Sequence, residues 1–99
     1  MNARAVTIQL HPGKIAEAGQ IMEEVAAGLR GSAGFHEITL LVDEATGHGH
    51  IVSLWETEEA LRATESTAFR EAMGRLAATF AAPPRPEVLK VIMHAHRGA

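Results

Sequence analysis

A chain of 99 residues, 46% of them apolar, makes one domain with a single core, taken as spanning residues 1–99, and it has no apolar run near the roughly 20 residues that cross a bilayer. A net charge of −3 with acids and bases interspersed offers no basic stripe to a phosphate backbone, so no nucleic-acid partner is expected. With no cysteine there are no disulfides and no thiolate chemistry, and because Met1 leads straight into an alternating segment instead of an apolar leader, the expected location is cytoplasmic.

In chain order, the segment 4–10 alternates, with Val6, Ile8 and Leu10 on one side and Thr7 and Gln9 on the other, which predicts a first strand. Pro12-Gly13 breaks it. Ile15, Ala18, Met22, Val25 and Leu29 then recur at spacings of three and four, the stripe of an amphipathic helix, and Gly31 and Gly34 stop it. Residues 35–43 and 48–55 read as two strands around Glu44-Ala45-Thr46-Gly47, whose glycine can take the positive φ of a hairpin loop. Thr57 followed by Glu58 and Glu59 suits a helix N-cap, because acids favour the positive end of the helix dipole. That short helical piece precedes a longer one carrying Phe69, Met73, Leu76 and Phe80 on one face. Pro83, Pro84 and Pro86 end it, and residues 88–93 form the last strand. The order βαββαβ predicts an α+β, ferredoxin-like protomer: a four-stranded antiparallel sheet with its helices on one face.

If Asp43 lies opposite His48, one side of the hairpin carries His36, Ile38, Leu40, Val42, Ile51, Ser53 and Trp55, and the other carries Phe35, Glu37, Thr39, Leu41, His50, Val52 and Leu54. Both sides are apolar, yet helices can cover only one. The expectation is a homodimer burying the face that bears Leu41, Val52 and Leu54; the alternative is a mildly apolar exposed face, and a bulge would change the parity.

Gly34-Phe35, the segment from Leu40-Leu41-Val42-Asp43 to Thr46-Gly47, and the run from Ser53-Leu54-Trp55 to Ala60-Leu61 resemble the antibiotic biosynthesis monooxygenase-like family over nearly the whole chain. The resemblance implies a dimeric α/β barrel with a small-molecule pocket between each sheet and its own helices. It further implies either a cofactor-independent monooxygenase acting on a small aromatic, quinol or polyketide-like substrate, or a non-catalytic small-molecule-binding or stress-related protein of the same fold. In the polyketide-oxidising branch the pocket has a Trp ending the third strand and an Arg in the long second helix, matched here by Trp55 and Arg70. The branch's Asn and Tyr positions hold Ile51 and Leu61. The haem-degrading branch is matched less well, with Val6 near its strand-one Asn, the sole Trp in a strand, and Met73 near its helical His ligand. No cofactor is therefore expected.

Cofactor-free oxygenation requires a phenol or quinol to lose a proton in a dry pocket, so that its anion can pass an electron to oxygen. Trp55 could stack on a flat ring, Arg70 could hold the anion, and His36 could take the proton. Each has a plainer alternative: a core anchor for Trp55, a solvated partner of Glu71 for Arg70, an exposed strand start for His36. The expected pocket walls are Val6, Ile8, Ile38, Leu40, Ile51, Leu61, Phe69 and Met73. His48-Gly49-His50 and His94-Ala95-His96 each set two imidazoles about 7 Å apart along an extended chain, but neither pair brings a third ligand, so no metal is expected.

Overall fold

The computed structural model describes residues 1–98. Strand β1 (Asn2–Gln9) is followed by a 3-10 turn (Pro12–Lys14) that runs into helix α1 (Ile15–Leu29), then by β2 (Phe35–Val42) and β3 (His48–Trp55). Helices α2 (Glu58–Arg62) and α3 (Ala68–Leu76), a second 3-10 turn (Ala77–Thr79) and β4 (Arg85–Lys90) complete the order. The strands lie as β2-β3-β1-β4 with every neighbouring pair antiparallel, the ferredoxin-like arrangement expected.

Alternation through β1 and Leu10 just after it turns Val6, Ile8 and Leu10 toward the helices, where all three are buried, against Ala18 and Met22 of α1 and Leu76 of α3. Burial of this kind stabilises by about 2 kcal/mol for each large aliphatic side chain. Trp55 at the end of β3 nucleates a second cluster with Leu29 and Leu61, joined by Phe35. The N-cap read in the sequence is present: Thr57 Oγ1 accepts from the Ala60 backbone N–H at 3.1 Å.

The hairpin has the assumed register, with Asp43 N–H donating to the His48 carbonyl at 2.8 Å. At the other end of β2 it does not hold. A bulge between Phe35 and Glu37 sets Phe35 opposite Trp55 and Glu37 opposite Leu54, so the extra residue, His36, falls out of the alternation. Phe35, expected on the outer face, instead turns its ring edge to Trp55 at 5.3 Å, while His36, expected beside Trp55, is exposed.

The last strand starts and ends three residues earlier than the expected 88–93, because its partner sets its length: Val91 N–H donates to the Met1 carbonyl at 2.9 Å, where β1 runs out. Pro86, expected to end a helix, pairs with Val6 inside β4, which an edge strand tolerates because it needs backbone donors on one side only. The face away from the helices carries Leu41, Val52 and Leu54, with Leu41 52% and Leu89 46% exposed.

The turn between β2 and β3 is tied to the end of β1, since Leu10 N–H donates to the Gly47 carbonyl at 2.8 Å. Gly47 has φ of 79°, and a Cβ there would run into the Leu10 carbonyl oxygen. Gly47→Ala should therefore cost about 2 kcal/mol or more, read as a melting temperature lower by roughly 10 °C. Gly28→Ala, where a Cβ on α1 meets open space, should be neutral or stabilise by up to about 1 kcal/mol in the same melting experiment.

Candidate functional site

The inner faces of β1 and β3 and the facing sides of α1 and α3 leave an apolar cavity beside Trp55. Val6, Ile51, Ile38, Met22, Phe69 and Met73 form much of its wall, and its enclosed volume is about 30 Å³, room for a water or two. Outside it lies an open groove of about 510 Å³, walled largely by alanines and threonines of the α2–α3 segment and by Ser32 and Ala33. Trp55, Thr64 and Ala68 border both spaces, so the indole stands between an outer approach and an inner hole.

Three polar side chains reach this apolar wall: Arg4, Ser53 and Thr64, each at most 8% exposed. Arg4 and Ser53 face each other across the β1–β3 pair, in a row completed by Ile38 and Val88. The Arg4 guanidinium donates to Thr64 Oγ1 at 3.1 Å and to the Leu61 carbonyl at 3.2 Å, and lies 4.0 Å over the Phe69 ring, a cation–π contact of order 1 kcal/mol. Thr64 in turn donates to the Leu61 carbonyl at 2.7 Å. Burial pushes the Arg4 pKa down from its ordinary value and Glu65, 3.9 Å away, offsets part of this, while neighbouring Arg62 adds to the depression. An arginine so placed still carries its charge at neutral pH. Ser53 Oγ accepts from the Trp55 indole N–H at 3.0 Å, which fixes the ring. Arg62 is engaged by Glu58 at 2.7 Å and Glu65 at 2.9 Å on the outer surface.

Of the residues expected at the site, Trp55, Val6, Ile38, Ile51, Phe69 and Met73 border the cavity. Ile8 and Leu40 pack farther along the sheet in the main core, and Leu61 is fully buried beside Trp55 without bordering the cavity. Arg70 is exposed. It follows Phe69 on α3, and the stripe that turns Phe69, Ala72 and Met73 inward carries it to the side of the helix away from the cavity. His36, put out of register by the bulge, has its side chain 45% exposed and 3.6 Å from Glu56 on the surface. Arg4 was not among the expected site residues, although it lies two before Val6 and so shares its face. The same alternation that turns Val6 inward could have found it.

The paired histidines meet edge to face, with ring centroids 5.3 Å apart, for His48 and His50, and tilted, at 5.9 Å, for His94 and His96. Among the described residues, no group of three or more His, Asp or Glu side chains is placed to hold a metal ion. Nor, among them, is any helix long and apolar enough to cross a membrane.

Comparison with solved structures shows what this fold is similar to. A proposed antibiotic biosynthesis monooxygenase from Caulobacter crescentus matches with a TM-score of 0.78 at 21% identity, over 93% of this chain and 90% of that one. A protein of unknown function from Nitrosomonas europaea matches with a TM-score of 0.78 at 14% identity, over 99% and 95% of the two chains. The haem-degrader MhuD of Mycobacterium tuberculosis, described with two haems bound in its active site, matches with a TM-score of 0.75 at 20% identity, over 97% and 100%. At such identities the likeness establishes the fold alone. No curated protein matches the sequence. The family model for antibiotic biosynthesis monooxygenases matches residues 1–75, three quarters of the chain and the part that holds β1, α1, the hairpin and the cavity-facing side chains of α3, and the chain belongs to that family.

Proposed function

We propose that this protein is a cofactor-independent monooxygenase acting on a small aromatic, quinol or polyketide-like molecule held between the sheet and helices α1 and α3. The observation that carries this reading is the position of Trp55. Its indole is 1% exposed, its N–H is held by Ser53, and it borders both the inner cavity and the outer groove, so a flat ring entering from the groove meets it directly. Stacking there adds on the order of 1 kcal/mol beyond the area buried. The reaction balances without an external reductant: a methylene between two aromatic rings plus dioxygen gives a carbonyl plus water, the electrons coming from the substrate anion. Val6, Ile38, Ile51, Phe69 and Met73 keep water from that anion.

One observation favours the second reading, a small-molecule-binding protein without turnover. No carboxylate, imidazole or amine borders the cavity, so the protein brings no general base to the ring. Oxygen uptake separates the two. Steady consumption with a panel of anthrones and hydroquinones, lowered roughly tenfold or more in a folded Trp55→Ala protein, supports the oxygenase. Saturable binding with no uptake by the wild type supports the binding protein.

Haem does not fit the donors present. The cavity offers no imidazole, its soft donors being the thioethers of Met22 and Met73. Titration with haem should give no tight complex with a shifted Soret band.

A dimer through the outer face of the sheet completes the proposal. Register places Leu54 beside Ala3 and Leu89, and Leu41 beside His50, forming an apolar surface that no helix of the same chain covers. Light scattering at micromolar concentration should give the mass of a dimer, and Leu41→Glu combined with Leu54→Lys should shift it to a monomer; a wild-type monomer would refute this pairing.

A further inference from the structure

We infer that Arg4 and Ser53 form an anion subsite that selects a flat ligand bearing an ionised oxygen, an enolate or phenolate, over its neutral counterpart. This deepens the proposed function and rests on the cavity being the ligand site. Both side chains are 5% exposed, and they sit directly opposite each other on the inner face of the two central strands. Both also border the cavity, so a ligand oxygen lodged there has a guanidinium and a hydroxyl among its lining groups.

The guanidinium has an acceptor at both terminal nitrogens, with N–H groups to spare. Its bonds to Thr64 and Leu61 use two of the five N–H groups an arginine carries. Its acidic neighbour Glu65 lies 3.9 Å away, beyond hydrogen-bonding distance, and the same carboxylate oxygen is taken by Arg62 at 2.9 Å out at the surface. No carboxylate borders the cavity. Arg4 also lines an outer recess with Arg62 and Glu65, which offsets part of its charge on that side, whereas on the cavity side it meets apolar walls that screen an anion little.

Ser53 adds a neutral donor. Its oxygen accepts from the Trp55 indole, and among the described residues its own O–H meets no acceptor. A neutral carbonyl could accept from these donors, but only an ionised oxygen makes the stronger charge-assisted bond and offsets the guanidinium's charge. Room for the ring comes from Met22 and Met73, which border the cavity and have the most adaptable apolar side chains.

Trp55 is the sole tryptophan, so its fluorescence reports occupancy of the site. The test titrates the full-length protein with lawsone, a hydroxynaphthoquinone ionised at neutral pH, and with its methyl ether, a neutral molecule of nearly the same shape, each checked by equilibrium dialysis. The expected result is at least tenfold tighter binding of lawsone to the wild type. Arg4→Met should bind the ether unchanged and lose the preference, and Ser53→Ala should lose part of it. Should Arg4→Met fail to fold, Arg4→Lys keeps the charge without the planar fork and should lower the preference severalfold. Equal affinity of the wild type for both compounds, or a preference that survives Arg4 substitution, overturns the subsite while leaving the pocket in place. Saturable binding of neither compound overturns the pocket and the subsite together.

Discussion

The register of β1 against β3 decides which side chains can meet beneath the helices, because a slip of one residue would carry every side chain of a strand to the opposite face. In the observed register Val6 stands opposite Ile51, Arg4 opposite Ser53 and Asn2 opposite Trp55. Two features hold it. The hairpin turn is closed by Gly47 N–H donating to the Asp43 carbonyl at 2.8 Å, and the Gly47 carbonyl accepts from Leu10, so the loop joining β2 and β3 is also clamped to the end of β1. At the other end, the Trp55 side chain is packed under Leu29 and Leu61 and cannot cross to the solvent face without emptying that cluster.

Alternation made most of this architecture legible in the sequence. Val6 and Ile8 in β1, Leu10 just after it, and Ile51, Ser53 and Trp55 in β3 all lie on the side that period-two reading assigned them. His36 and Phe35 do not, because a bulge inserts one residue, Gly34 just before it reads as a helix stop, and everything N-terminal to the bulge in the strand changes face. The proline run misleads differently. Pro86 looks like a terminator in isolation, but the sheet places its strand at an edge, a fact of tertiary arrangement that no local pattern carries.

At the candidate site the hidden information lay in the two arginines. The helical stripe through Phe69 and Met73 already turns Arg70 outward, and the strand alternation through Val6 and Ile8 already turns Arg4 inward. Charge obscures this, since an arginine near a chain end is ordinarily taken as solvated. What makes Arg4 an exception is its support: Thr64 and the Leu61 carbonyl at the α2–α3 junction accept from it, and Phe69 offers a ring face. Those partners come from residues some 60 positions away, and only the folded chain brings them together.

A buried guanidinium is an unusual way to stabilise this row. Ile38 and Val88 fill its flanks with plain apolar surface, and apolar residues commonly replace buried ion pairs with no loss of stability, or with a gain. Arg4 has less compensation than such a pair, its carboxylate neighbour being half-solvated and shared with Arg62. Desolvation therefore works against it, and stability alone does not account for its position. The surroundings divide between rigid and yielding parts: the sheet side of the cavity is pinned by the ladders of the two central strands, whereas the helix side, from α1 and α3, includes the adaptable side chains of Met22 and Met73. A ring entering from the groove past Trp55 would be admitted by turning the two methionines, which leaves Thr64 and the Leu61 carbonyl in place to hold Arg4. An enclosed space of about 30 Å³ in the empty protein is thus compatible with a larger occupant.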